Sequence, residues 1–395
     1  MKFLKNCLIM FFSLMLTSCS STMFRAITKG DAGVDDYLYF PERRISKADT
    51  ASQFTNSPDS DYFTSLEKLL GTDELKNFIE KTDTQALLIL EGNNIVLEAY
   101  GKDYDRESIV TSFSVAKSFV SAMIGVLLQQ GKIQSVDQSI TDFIPELSER
   151  DESFTKIRIK DLLSMSSGLH YSERAFDDTK TYYDPALRKL ALTKTRIQGE
   201  PDIEFLYNNY NPLLLGIVIE RAAGKTVASF LEENIWKPMG AEFDASWSLD
   251  SEADGFEKME SGINARAIDF ARFGCLYRDG GVVDGKQIIP PDWIKESLSD
   301  HHADRTDFYK NEFGRKIKNA KNGGWYSYFW YGLKREGSVQ NDFFAAGNKS
   351  QIIYISPQAD LVIVRFGKKD GIDFWNWISA FYDLATQKIN KEIRK

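Results

Sequence analysis

Cysteine and histidine are scarce in this 395-residue chain, three of each. The cysteines are Cys7, Cys19 and Cys275, too few for a disulfide framework. His170 and the adjacent His301 and His302 fall in no HExxH or other ligand spacing, so no metal is implied. A G-x-S-x-G elbow is missing, which removes the Ser-His-Asp arrangement built on it. With no G-x-G-x-x-G after a strand and no phosphate loop, nothing implies a nucleotide or any other cofactor. Basic residues are in deficit, 49 Lys+Arg against 57 Asp+Glu for a formal net charge of −8. No basic stripe is left to follow a nucleic-acid backbone, so nucleic acid is not an expected partner. Repeats and low-complexity segments are also missing. What is there, 43% apolar and 27% charged residues, is enough to bury a sizeable core in one large domain or two smaller ones.

The first residues stand apart. Lys2 and Lys5 precede an uncharged run from Cys7 to Leu16, about ten residues and too short to span a bilayer. Residues 1–18 therefore read as a signal peptide. The run ends in "LTSC", where the small Thr17 and Ser18 before Cys19 resemble the bacterial lipobox. That resemblance implies lipidation of Cys19, with plain secretory cleavage nearby as the alternative. Ser20 follows rather than Asp, which implies a cell-envelope protein on the periplasmic side of the outer membrane. Loss of Cys7 with the leader and use of Cys19 for lipid would leave Cys275 without a partner.

Residues 19–60 are polar with few periodic apolar positions and read as a tether and an irregular lead-in. Next, "LEKLLGTDELKNFIEKT" has helical spacing, and "TQALLILEGNNIVLEAYG" has two β-type runs around a turn. Near the other end, "WYSYFWYGLK", "DFFAAG", "QIIYIS" and "LVIVRFG" are strand-like, followed by the helical "FWNWISAFYDLATQKI". Residues 61–130 and 250–395 are thus expected to share one α/β domain, an antiparallel sheet flanked by helices. Residues 131–249 are expected to form a helical insertion, with apolar residues at three- and four-residue spacing between Gly and Pro breaks.

The chemistry concentrates in "SFSVAKSF". If the stretch through "VLLQQGK" is a helix, Ser114 and Lys117 lie one turn apart on one face. A serine hydroxyl needs a base within about 3 Å to act as a nucleophile, and the free N–H groups of a helix start favour the developing negative charge. By itself S-x-x-K is common by chance, with Lys117 then a solvated side chain.

Other stretches follow in order: "KIRIKDLLSMSSGLHYSE", "FLYNNYNPLLLG", "ESGINARAIDFARFG" and "DFFAAGNKSQIIYIS". Together with the Ser-x-x-Lys they resemble the serine β-lactamase and penicillin-recognising superfamily, over about Asp36 to Phe366. Within it the chain is most similar to class C-like esterases and 6-aminohexanoate-dimer hydrolases. The resemblance implies a β-lactamase/transpeptidase-like α/β (α+β) fold with a cleft between sheet and helical region. It implies Ser114 as nucleophile, Lys117 and Tyr207 as the proton-handling pair, and the backbone N–H groups of Ser114 and Asn348 as oxyanion donors. Asn209 takes the place of the polar residue that bonds the lysine or the acyl chain, although "YNNYN" is also turn composition. Tyr171, after the "SGL" turn, becomes a substrate contact.

On the late strand, where these enzymes commonly carry Lys-Thr-Gly, this chain has Ala345-Ala346-Gly347. A cation and a hydroxyl for an antibiotic carboxylate are missing, and a charged hydrogen bond is worth about 1.5–3 kcal/mol. Lys349 is a candidate substitute charge or else a solvated turn lysine. Trp330 is a candidate pocket wall or else sheet core. The expectation is an envelope serine hydrolase acting on a small ester or linear amide. Alternatives are β-lactamase or D-amino acid peptidase activity, or a penicillin-binding-like module without catalysis.

Overall fold

β3 (Thr84–Glu91) is buried along all but its last residue, and runs of Leu, Ile and Ala of that kind belong in the middle of a sheet. The computed structural model that shows this describes residues 22–172, 176–305, 307–338 and 340–394. The predicted leader and Cys19 lie outside the described residues. In chain order the other strands are β1 (Glu42–Ile45), β2 (Thr55–Asn56), β4 (Asn94–Tyr100), β5 (Ile109–Thr111), β6 (Ala245–Ser248) and β7 (Ile263–Arg266). A small hairpin, β8 (Val282–Val283) and β9 (Lys286–Gln287), precedes β10 (Gly324–Ser327), β11 (Trp330–Leu333), β12 (Asp342–Gly347), β13 (Gln351–Ser356) and β14 (Leu361–Gly367).

The main sheet has eight strands in the order β10-β11-β12-β13-β14-β3-β4-β2. All neighbours are antiparallel except β2 and β4, so both ends of the chain build the sheet, as the aromatic and β-branched runs predicted. Alternate residues serve opposite layers. Ile353 on β13 packs toward Gly274 of the helix Ala267–Arg278, while Tyr354 faces Phe381 of the C-terminal helix Phe374–Ile393 at 5.9 Å between ring centres. The chain thus has the β-lactamase/transpeptidase-like architecture expected of it.

Four details differ from the sequence reading. The predicted helix after residue 60 is two helices, Ser60–Leu70 and Leu75–Lys81, because Gly71 turns left-handed (φ 66°) and closes the first. The lead-in is not irregular throughout. It contains a helix over 22–29 and also β1, which pairs with β6. β6 itself lies inside the stretch expected to be helical, and it joins a second sheet of order β1-β6-β7-β5. "WYSYFWYGLK" forms two strands joined at Tyr328 and Phe329, both with positive φ, a hairpin conformation that favours glycine. Here Ser118 Oγ donates to Phe329 O at 2.8 Å, and Tyr328 stacks on Trp293, holding the tip in place.

Candidate active site

β5 delivers the chain to a short 3-10 turn, Phe113–Val115, which runs into the helix Ala116–Gln129. Residues 116 to 127 of that helix are all buried, so it is a core helix, and its one lysine is buried with the rest. Phe113 carries the positive φ of 41°, a conformation that costs about 1–3 kcal/mol and persists where its surroundings enforce it. Ser112 supplies that enforcement: its N–H donates to Ile263 O at 2.8 Å, and its Oγ accepts from Ile263 N at 3.0 Å. The turn is therefore stapled to β7, and Ser114 stands at the helix start.

Lys117 Nζ is 2.9 Å from Ser114 Oγ and 2.8 Å from Glu260 O. The amine thus bridges the hydroxyl and a main-chain carbonyl. The same nitrogen sits 5.1 Å from the ring centre of Tyr207. Serine, lysine and tyrosine thus meet as the sequence predicted, although 93 positions separate Ser114 from Tyr207.

Tyr207 is positioned through its neighbours. Leu206 N donates to Met165 O at 2.7 Å, Asn208 N to Met165 Sδ at 3.3 Å, and Phe205 N to Phe308 O at 2.9 Å. Its ring is edge-on to Phe313 at 5.5 Å and to Tyr326 at 6.2 Å. Tyr331 completes the wall. Burial first, and then the charge and hydrogen bond of the adjacent Tyr207, hold the Tyr331 phenol well above the ordinary tyrosine range. Tyr331 therefore keeps its proton and can donate it in a hydrogen bond to Tyr207.

Gly347 closes the site from the sheet. A Cβ there would come within 2.5 Å of Ser112 O and 3.0 Å of Ser114 N, so only glycine lets the end of β12 approach the serine turn this closely. Ser114 lies in the first turn of its helix, where N–H groups lack intrahelical acceptors, and Asn348 follows directly on Gly347. The close approach of Gly347 thus brings the chain segment that carries Asn348 alongside the start of the Ser114 turn. Ala345 is fully buried, and Ala346 stands half-buried where a polar anchor was missing from the sequence. Lys349 adopts φ 59°, and its carbonyl accepts from Arg365 Nη1 at 2.6 Å.

Asn209 departs from its expected contact. Its amide donates to the Tyr171 hydroxyl at 3.0 Å and to Asp178 Oδ1 at 3.3 Å, not to Lys117. Tyr171 is itself buried and bonded to Asp178, so this pair forms a polar brace within the helical region. Trp330 is core: it packs at 4.4 Å from Tyr277 and 5.4 Å from Phe343, at 1% exposure. Cys275 is buried as well, which pushes its thiol up to about 12 and makes it a poor nucleophile.

Glu260 O, Tyr331 and Ser112 escape a reading of the sequence. The first is a backbone atom without a side-chain signature, and Tyr331 hides in an aromatic run that reads as sheet. Ser112 and Glu260 lie in stretches already singled out, but nothing in those stretches points to their roles.

The profile of the family described as Beta-lactamase matches residues 75–373. The chain belongs to that family. Its similar relatives include the 6-aminohexanoate-dimer hydrolase of Paenarthrobacter ureafaciens, 25% identical over 319 residues, covering 77% of each chain. Among solved structures, a putative 6-aminohexanoate-dimer hydrolase from Bacillus anthracis superposes with a TM-score of 0.70 at 21% identity, covering 90% of this chain and 92% of that one. A family VIII carboxylesterase superposes with a TM-score of 0.60 at 16% identity, covering 84% of this chain and 99% of that one. The family's relatives and neighbours are thus serine hydrolases that include amide and ester hydrolases.

Proposed function

We propose that the protein is a serine hydrolase of small esters or linear amides, working through an acyl-enzyme at Ser114. The observation that carries this reading is the 2.9 Å contact between Lys117 Nζ and Ser114 Oγ beneath the Tyr207 ring. Ser114 Oγ bonds to the carbonyl carbon as its proton passes to the Lys117 and Tyr207 pair. The oxyanion accepts hydrogen bonds from the Ser114 and Asn348 amides, where losing one such donor costs about 2.7–4 kcal/mol. The leaving alcohol or amine departs with the proton from the pair. Water, deprotonated by the same pair, then attacks the acyl carbon and frees Ser114.

Ala345-Ala346 in place of a cation and hydroxyl supports neutral or linear acyl groups over β-lactams. Asn209, Gly347 and Lys349 keep their places near the substrate path in this reading, Asn209 acting through Tyr171. We further propose that Cys19 is lipidated and holds the enzyme at the outer membrane, on the periplasmic side. Labelling with a fluorophosphonate, read by intact mass, tests the nucleophile: one adduct on Ser114 is expected, and no adduct overturns it. Turnover of p-nitrophenyl esters should exceed that of nitrocefin; the reverse order overturns the substrate class.

A further inference from the structure

The helix over 22–29 has its polarity inverted. Its inward residues are Thr22 and Arg25: Thr22 Oγ1 donates to Asp184 Oδ2 at 3.0 Å, and Arg25 Nη1 donates to Asp250 O at 2.8 Å and Tyr183 O at 3.3 Å. Its large apolar residues face outward, with Met23 54%, Phe24 68% and Ile27 76% exposed, and the exposed Thr28 and Lys29 follow at its end. Positions 23, 24 and 27 fall on one side of a helix. Leu38 and Tyr39 extend the patch, since Lys29 Nζ sits 3.8 Å above the Tyr39 ring and ties that turn to the helix end. Five of the eight large exposed apolar residues among the described residues lie in this span, 23 to 39. A helix surrounded by water takes the opposite orientation, with apolar residues in and polar residues out.

We propose that this face docks on a phospholipid bilayer and fixes how the enzyme sits on the membrane. The inference rests on the lipid anchor proposed above. Two residues, Ser20 and Ser21, separate Cys19 from Thr22, and three Cα-to-Cα steps reach at most about 11 Å, so an acylated Cys19 holds the helix at the interface. Amphipathic segments bury their apolar face about 5–10 Å into that boundary. Among the described residues no helix is long and apolar enough to cross a membrane, so the contact is peripheral.

The test uses the full chain from a lipidating host, its Cys19 acylation established by mass. It is placed in phosphatidylethanolamine and phosphatidylglycerol vesicles that carry an acyl-chain nitroxide. A fluorophore on Ile27→Cys should be quenched several-fold more than one on Ile393→Cys, a residue equally exposed at 76%. Equal quenching overturns the proposal. If mass shows no acyl group, the anchor reading fails by itself. The Cys19→Ser chain, starting at residue 19 and added to the same vesicles at high lipid, then decides: the same quenching contrast upholds the docking face, and its absence overturns it. A dimer of that soluble chain dissolved by Phe24→Ser with Ile27→Ser also overturns it, in favour of a second copy.

Discussion

Two buried lysines meet at Glu260, and only one of them faces a hydroxyl. Lys117 bonds the carbonyl of Glu260 and the Ser114 hydroxyl, with the Tyr207 ring beside it. Lys258, equally buried, donates to Tyr182 O, lies 3.4 Å from the carboxylate of the same Glu260, and is covered by the rings of Phe40 at 4.3 Å and Tyr182 at 3.9 Å. Burial pulls the Lys258 amine below the ordinary lysine range, against the opposing pull of Glu260. Burial alone therefore does not make a lysine a base. A proton donor that becomes a nucleophile on losing its proton has to stand next to it, and the amine has to be free of a carboxylate counter-ion. The pair on the Lys258 side reads instead as a brace that holds the carbonyl to which Lys117 is tied.

The largest effect expected is on the Lys117 side. Ser114→Ala should lower kcat/KM for a p-nitrophenyl ester by about three orders of magnitude or more, with the unfolding midpoint in urea unchanged. Retained turnover would put both lysines in the same structural class. On the Lys258 side the loss should appear in stability. Lys258→Met leaves the Glu260 carboxylate buried and unpaired, which typically costs about 3–5 kcal/mol. Glu260→Gln added to it should restore more than half, measured by urea unfolding. A double variant no better than the single one would mean that the two groups are not coupled.

A smaller effect separates proton donor from acceptor inside the Lys117 region. Tyr331→Phe removes the phenol beside Tyr207, and one neutral hydrogen bond is worth about 0.5–1.5 kcal/mol. A two- to tenfold fall in kcat/KM is expected, because Tyr207 loses the phenol packed against it. An unchanged kcat/KM would place Tyr331 in the core alone.

The difference between the two lysines was only half visible beforehand. Ser114, Lys117, Tyr207 and Gly347 are side chains or a missing side chain in short recognisable stretches, and the structure gathers them as expected. Glu260 in "KMESG" gives no hint, because its contribution to Lys117 is a main-chain oxygen set by the path of the chain between β6 and β7. The resemblance placed Asn209 against the lysine or the acyl chain, but it does not carry the direction of the amide, which Tyr171 and Asp178 capture in place of Lys117. The helix over 22–29 escaped because helices are sought by an apolar inner face, and here that face is outside. β6 was masked by the strongly helical segments before it, and its partner β1 lay in a stretch too polar to read as a strand.

The smallest effect concerns the segment that carries Tyr207, at some distance from both lysines. His302 stacks on Phe308 with ring centres 3.6 Å apart and the ring planes nearly parallel, and its Nε2 is 2.9 Å from Asp202 Oδ1. Asp202 adopts φ 61° and also receives Arg305 Nη1 at 3.3 Å, while Arg305 Nη2 holds Ile203 O at 2.9 Å. Burial lowers the His302 pKa, and Asp202 opposes that shift without reversing it. The geometry agrees: Nδ1 is buried without a partner, so a second proton there would be an unpaired donor. The neutral ring donates through Nε2 to Asp202. Because the folded state binds this proton more weakly than the unfolded chain, its share of stability is present above the ordinary histidine pKa of about 6.5 and is lost as pH falls below it. One such group gives a slope of at most about 1.4 kcal/mol per pH unit. His302→Asn should flatten the stability curve in that window relative to the parent chain, and identical slopes for the two proteins would show that the ring binds its proton equally in the folded and unfolded states.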